Sequence, residues 1–107
     1  MSAELKVWRS RIVPTARGAI FRAKRWFYAT FYSKKLQVSD EIKEKSKENW
    51  ARLARKLVEE ANNRNVSDKA ARLIIYYYDE NGLFRPVKAE IEVYELKQVD
   101  KIEVSEV

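Results

Sequence analysis

Leu5 to Val13 alternates apolar with polar residues well enough for a strand, and Pro14 stops it. A two-residue period puts Leu5, Val7, Arg9, Arg11 and Val13 on one face and Lys6, Trp8, Ser10 and Ile12 on the other. The period then lengthens. Thr15 offers an N-cap hydroxyl, and a helix from about Ala16 to Lys34 gathers Ala16, Ile20, Ala23, Phe27 and Phe31 into one apolar stripe. A second helix is expected from a Ser39 N-cap to about Ala61, with Ile42, Ser46, Trp50, Leu53, Leu57 and Ala61 on its buried side. Its opposite face carries Glu41, Lys45, Glu48, Arg52, Lys56 and Glu59, where Glu41–Lys45 and Glu48–Arg52 stand at favourable i, i+4 spacing and read as solvated scaffold. Asn62-Asn63-Arg64-Asn65 ends this helix, because asparagine tolerates the left-handed conformation of a helix C-terminus.

Beyond Ser67-Asp68 the pattern is that of a hairpin: Leu73 to Tyr78, then Asn81-Gly82, then Leu83 to Leu96. Asn-Gly between two such runs signals a type I′ turn. In the second arm Val87, Ala89, Ile91 and Val93 alternate with Lys88, Glu90, Glu92 and Tyr94, one buried face and one wet, and Pro86 implies an edge strand or a bulge. The first arm is apolar on both sides. If Ile74 and Tyr76 follow Val87 and Ala89 inward, Tyr77 stands on the other face beside Leu73 and Ile75; there it is a stacking platform if basic groups lie nearby, and a covered ring if another element packs on it. Residues 99–107 alternate weakly, as a short last strand would. Together these elements describe an α+β domain: an antiparallel sheet of three or four strands with two main helices packed on it, in the order β-α-α-β-β.

A length of 107 residues suits one domain with one core. Cysteine and histidine are both absent, which excludes a zinc site, a Ser/His/Asp triad and a Cys/His pair within the chain. The only glycines, Gly18 and Gly82, cannot form a phosphate-gripping loop, so nucleotide triphosphatase chemistry is excluded too. No cofactor or metal is expected, and the carboxylates offer no identifiable acid/base couple. The first residues carry no apolar core of signal-peptide length, and no stretch approaches the roughly 18 apolar residues of a membrane span, so the default location is the cytoplasm. Abundant Lys, Glu and Arg beside two Gly and two Pro resembles the composition of proteins from hot environments.

Charge changes the picture through its distribution. Residues 1–35 hold nine Lys or Arg (Lys6, Arg9, Arg11, Arg17, Arg22, Lys24, Arg25, Lys34, Lys35) against Glu4 alone, a balance of +8, whereas the remainder carries −2. Such asymmetry is expected when one surface meets a polyanion. On the first helix Arg17, Phe21, Arg25, Tyr28 and Tyr32 project together beside the apolar stripe, and Arg22 and Trp26 occupy the other flank. Rings stack on bases while guanidinium groups meet phosphates. Base-on-aromatic stacking contributes on the order of 1–3 kcal/mol per base and tolerates any sequence, which suits unpaired strands. A basic face kept for solubility, with Phe21, Trp26 and Tyr28 merely widening the core, is the competing structural reading. Two functional rivals are an anionic-membrane interaction protein and a metal-independent, toxin-like ribonuclease using Arg, Lys and Tyr. The favoured expectation is a single-stranded nucleic-acid binding domain that is not an enzyme, in which Trp26→Ala weakens binding while leaving the fold intact.

The segment Val7–Tyr28, VWRSRIVPTARGAIFRAKRWFY, resembles ThermoDBP, the single-stranded DNA binding family of Thermoproteales archaea. The resemblance implies a small α+β domain with a cleft of apolar and aromatic residues, bordered by basic ones, that binds single strands with little sequence preference. It also implies a stand-in for the usual OB-fold protein in DNA replication and repair; two helices followed by a hairpin cannot be an OB barrel. The positions carried over are Arg9, Arg11, Arg17, Phe21, Arg22, Lys24, Arg25 and Trp26. Tyr28, Tyr32 and Tyr77 join them from the aromatic pattern, and the expected partner is single-stranded DNA, with RNA left open. The family adds a C-terminal coiled coil for dimerisation, and no apolar heptads follow Leu96 here, so a homodimer is expected only where the domain is continued by that element.

Overall fold

The computed structural model describes residues 4–106. Strand β1 (Leu5–Arg9), helix α1 (Ala16–Phe31), helix α2 (Asp40–Asn63) and the hairpin strands β2 (Ala70–Glu80) and β3 (Leu83–Tyr94) follow one another in the order β-α-α-β-β. The sheet is antiparallel with β2 in the middle, order β1-β2-β3, and both helices pack on one of its faces. Among the described residues three strands form, not four: residues 95–106 make no strand and lie exposed.

Both helices begin where the side chains allow. Thr15 Oγ1 accepts the Gly18 amide at 2.9 Å and Ser39 Oγ that of Ile42 at 3.2 Å, each satisfying an otherwise orphaned donor. α1 ends at Phe31, three residues short of Lys34, and after α2 Asn65 takes the left-handed φ of 56° that asparagine tolerates. Between the helices and the sheet lies an aromatic core. Phe27 stacks on Trp50 at 5.4 Å and on Phe31 at 5.7 Å, and meets Phe84 edge-on at 5.2 Å. Leu73, Ile75 and Phe84 are fully buried against them.

Two one-residue irregularities decide which side chains face this core. In the first strand the alternation expected to run to Val13 breaks after Arg9. Arg9 lies opposite Ile74 and Val13 opposite Ala71, so three residues span what two span on β2. Ser10 fills the gap: its amide donates to Leu73 O, its hydroxyl accepts the Leu73 amide at 2.9 Å and donates to Arg11 O at 2.7 Å. The extra residue shifts the phase, so Val13 joins the face of Trp8 and is buried, while Arg11 and Ile12 bulge into solvent.

The second irregularity lies in β3. The Asn81-Gly82 turn, with φ of 55° and 92°, pairs Glu80 with Leu83 and Tyr77 with Pro86; continued unbroken, that register would set Tyr76 against Val87 and Ile74 against Ala89. Instead a bulge leaves Val87 without a partner, and Tyr76 pairs with Lys88 and Ile75 with Ala89. The facing of β2 is thereby opposite to the sequence-based expectation. Leu73, Ile75 and Tyr77 point to the helices, and Ile74, Tyr76 and Tyr78 lie on the open face. Pro86 sits where both of its tolerated contexts coincide, on an edge strand and at a bulge.

Ser46, read as one of the buried positions of α2, explains its own burial. Its hydroxyl accepts the Phe84 amide at 2.9 Å and donates to Gly82 O at 3.3 Å, clasping the hairpin to the helix. The ion pairs anticipated on α2 do not close. Among the described residues the ion pairs are Arg17–Asp68, Arg64–Glu60, Arg72–Glu92 and Arg85–Glu80, and Arg52 donates instead to Asn49 Oδ1.

Candidate nucleic-acid interface

Helix α1 contains four Lys or Arg residues, Arg17, Arg22, Lys24 and Arg25, and no carboxylate at all. At 100° per residue, Arg17, Phe21, Lys24, Arg25, Tyr28 and Tyr32 occupy the flank that borders α2. Phe21 is 59% exposed, an uncovered ring with Arg17 one turn before it and Arg25 one turn after. Further along, Tyr28 and Tyr32 are half-buried and meet edge-to-face at 5.4 Å. Tyr32 is also tied to α2: its hydroxyl donates to Glu44 Oε1 at 2.5 Å, and Lys47 Nζ stands 5.5 Å from its ring. The Glu44 hydrogen bond is the main reason its phenol titrates above the ordinary tyrosine value. Arg17 is not wholly free either, since its Nη2 lies 2.6 Å from Asp68 Oδ1 on the surface.

The opposite flank of α1 faces β1. There Trp26 is half-buried, stacked on Trp8 at 5.2 Å with an interplanar angle of 21°, and edge-on to Tyr77, Phe31 and Phe84. This ring belongs as much to the core as to the surface, which corrects the expectation that it could be removed without touching the fold. Arg22 lies exposed one turn earlier, and Lys6 is exposed on the Trp8 side of β1. Arg9 is on neither flank; it shares the open sheet face with Val7 and Ile74, and Arg11 projects from the bulge.

Tyr77 is corrected outright. It is 8% exposed, with Trp26, Phe31 and Phe84 around its ring, and burial pushes its phenol up from the ordinary value of 10.0. The tyrosine in its expected place is Tyr76, whose ring has Lys88 Nζ 4.7 Å from its centroid and whose phenol is pushed up mainly by a hydrogen bond with Glu90. Tyr76 and Trp8 are the two ring positions that sequence reasoning missed. The signal for both lay in Pro86 and Ser10, residues that mark irregular strand, but neither reveals how many residues an irregularity inserts.

The eleven positions thus divide. Arg17, Phe21, Lys24, Arg25, Tyr28 and Tyr32 come together on one helix flank, Arg22 and Trp26 on the other, Arg9 and Arg11 lie by the sheet and the bulge, and Tyr77 is inside. A cavity of about 560 Å³ opens between α2 and β3 and another of about 260 Å³ beside Arg17, Ile20 and Val58, and neither is lined by an aromatic ring. No group of three or more Asp or Glu side chains is placed to hold a metal ion among the described residues, and no helix among them is long and apolar enough to cross a membrane. No protein-family model matches the chain, and no curated protein or solved structure matches it.

Proposed function

We propose that the protein binds single-stranded nucleic acid along the α2-bordering flank of α1, as a non-catalytic cytoplasmic module. One observation carries the reading: Phe21 leaves 59% of its surface in solvent on a helix without a single carboxylate, between two arginines one turn away on either side. A phenylalanine that only packed would be covered, and a helix face kept only for solubility would place a polar residue there. Lone exposed apolar residues are ordinary; an exposed ring framed by Arg17, Lys24 and Arg25 offers a base its flat face and a phosphate its counter-charge in one span.

In this reading the ring holds an unstacked base while the cations displace condensed counterions from the backbone. Duplex bases are already stacked and unavailable, so the preference is for unpaired strands. The resemblance of Val7–Tyr28 to the ThermoDBP family supports DNA as the strand, and protection of unpaired DNA in replication and repair as the setting. The test is fluorescence anisotropy of labelled oligo-dT against duplex of equal length at low salt. Tighter binding of oligo-dT is expected; equal binding would reduce the surface to a general polyanion patch.

A further inference from the structure

The two edges of the sheet differ. On β3 the Phe84 amide and carbonyl that face away from β2 are already taken by Ser46 and Asn49 of α2. Pro86 has no amide to offer, the Val87 bulge breaks the line, and beyond it the strand carries Glu90 and Glu92. Such devices close an edge to further strands. On β1 they are absent. The Ser10 amide donates to Leu73 O, and hydrogen-bonding groups alternate in direction along an antiparallel strand. Those of Lys6 and Trp8 therefore also turn to β2, while those of Leu5, Val7 and Arg9 turn outward, where no other element of the described residues bonds to them.

The segment that follows β3 suits this free edge. Residues 95–106 lie in solvent with Ile102 83% and Val104 71% exposed, and in a strand these two share a face with Asp100. The segment is acidic, with Glu95, Asp100, Glu103 and Glu106 against Lys97 and Lys101, whereas β1 holds Lys6 and Arg9 and no carboxylate. Lys6, Arg9, Asp100 and Glu103 form no ion pair among the described residues. Set antiparallel with Ile102 opposite Val7, the two stretches match at every position: Leu5 meets Val104, Lys6 meets Glu103, Trp8 meets Lys101 and Arg9 meets Asp100. Two apolar pairs, two pairs of opposite charge and a cation beside an indole are all favourable across strands. Two copies of β1 side by side would instead bring four cations together with no anion.

The segment leaves from the opposite side of its own sheet, at Tyr94 paired with Ala70, and the way round to its own β1 is obstructed by the Val13–Ala71 bridge and the Arg11–Ile12 bulge. β1 and β3 run the same way, each antiparallel to β2. A two-fold axis normal to the sheet thus presents the β1 of a second copy antiparallel to a segment continuing the line of β3, and the exchange is reciprocal. We infer that residues 100–104 of one copy add as a further strand to the free edge of β1 in a second copy, and that two copies exchange these segments to form a two-fold dimer. This inference does not rest on the strand-binding reading.

The test is sedimentation equilibrium of the full chain without nucleic acid, paired with amide hydrogen exchange followed by NMR. The mass is expected to rise with concentration to that of a dimer, and the Val7 and Arg9 amides to become protected as it does. Ile102→Asp combined with Val104→Asp, both at solvent positions, should leave a monomer with those amides unprotected. Arg9→Glu should weaken self-association on the order of tenfold, because the reciprocal exchange places the Arg9–Asp100 pair twice in each dimer, and adding Asp100→Lys should restore it. A monomer at every concentration, or a dimer that survives the double aspartate substitution, would overturn the exchange. Protection of Val7 and Arg9 in a monomer would assign the edge to the chain's own segment, and failure of Asp100→Lys to rescue Arg9→Glu would overturn the pairing.

Discussion

Ser10 and Trp26 show how much single side chains decide. The Leu73 amide is buried and its partner is the Ser10 hydroxyl, so Ser10→Ala leaves a donor with neither protein nor ready solvent partner. A loss of about 1–3 kcal/mol in chemical denaturation is expected. Trp26→Ala removes a ring that touches Trp8, Phe31, Tyr77 and Phe84, and a stability loss on the order of 3 kcal/mol is expected from the denaturation midpoint, because a large aromatic contact set is not refilled by methyl groups. Any change in strand binding by that variant therefore has to be separated from unfolding. Tyr77 gives a pH signature. Its phenol is raised in the folded protein, so above about pH 10 the unfolded chain releases the proton first and stability falls as pH rises. Below that pH both states hold the proton and the contribution is constant. Urea midpoints measured from pH 8 to 11 should decline at the top of the range, and the decline should be shallower in Tyr77→Phe.

At the scale of elements, the turn between β2 and β3 is the most tightly specified part. Gly82 has φ of +92°, and a Cβ there would stand 2.4 Å from Val38 Cγ1 in the connection between the helices. Gly82→Ala thus meets backbone strain and a steric neighbour together, and a loss of about 1–3 kcal/mol is expected in thermal melts. The turn was legible in the sequence because Asn-Gly has few other uses, and the helices because Thr15, Ser39 and their apolar stripes agree. What the sequence hid was parity. A bulge adds one residue without altering composition, so the alternation around Ser10 and Val87 looks continuous while the side chains change faces. For β2 the difficulty was greater, since Leu73 to Tyr78 is apolar on both sides and nothing local distinguishes Tyr77 from Tyr76. The α1 flank needed no long-range register, and for that reason its grouping was readable from spacing alone.

Over the whole molecule, charge and shape are distributed unevenly. The radius of gyration is 17.2 Å, against about 13 Å for a compact chain of 100 residues, because residues 95–106 extend away from the sheet with Leu96, Val99, Ile102 and Val104 exposed. The basic excess of the first third divides between the two flanks of α1 and the β1 side of the sheet. Net charge by segment therefore finds this surface, because its cations lie close together in the sequence.

In the strand-binding reading an exposed ring on α1 takes a base while the arginines beside it take phosphate. Its most direct test is anisotropy of labelled oligo-dT over a salt series, with wild type compared with Phe21→Ala, and a thermal melt of each. Unchanged melting is expected, since the ring is mostly in solvent, and affinity lower by about 1–3 kcal/mol with the same salt slope, because a ring is lost and no phosphate contact is. Wild-type affinity retained by Phe21→Ala at every salt concentration would contradict it.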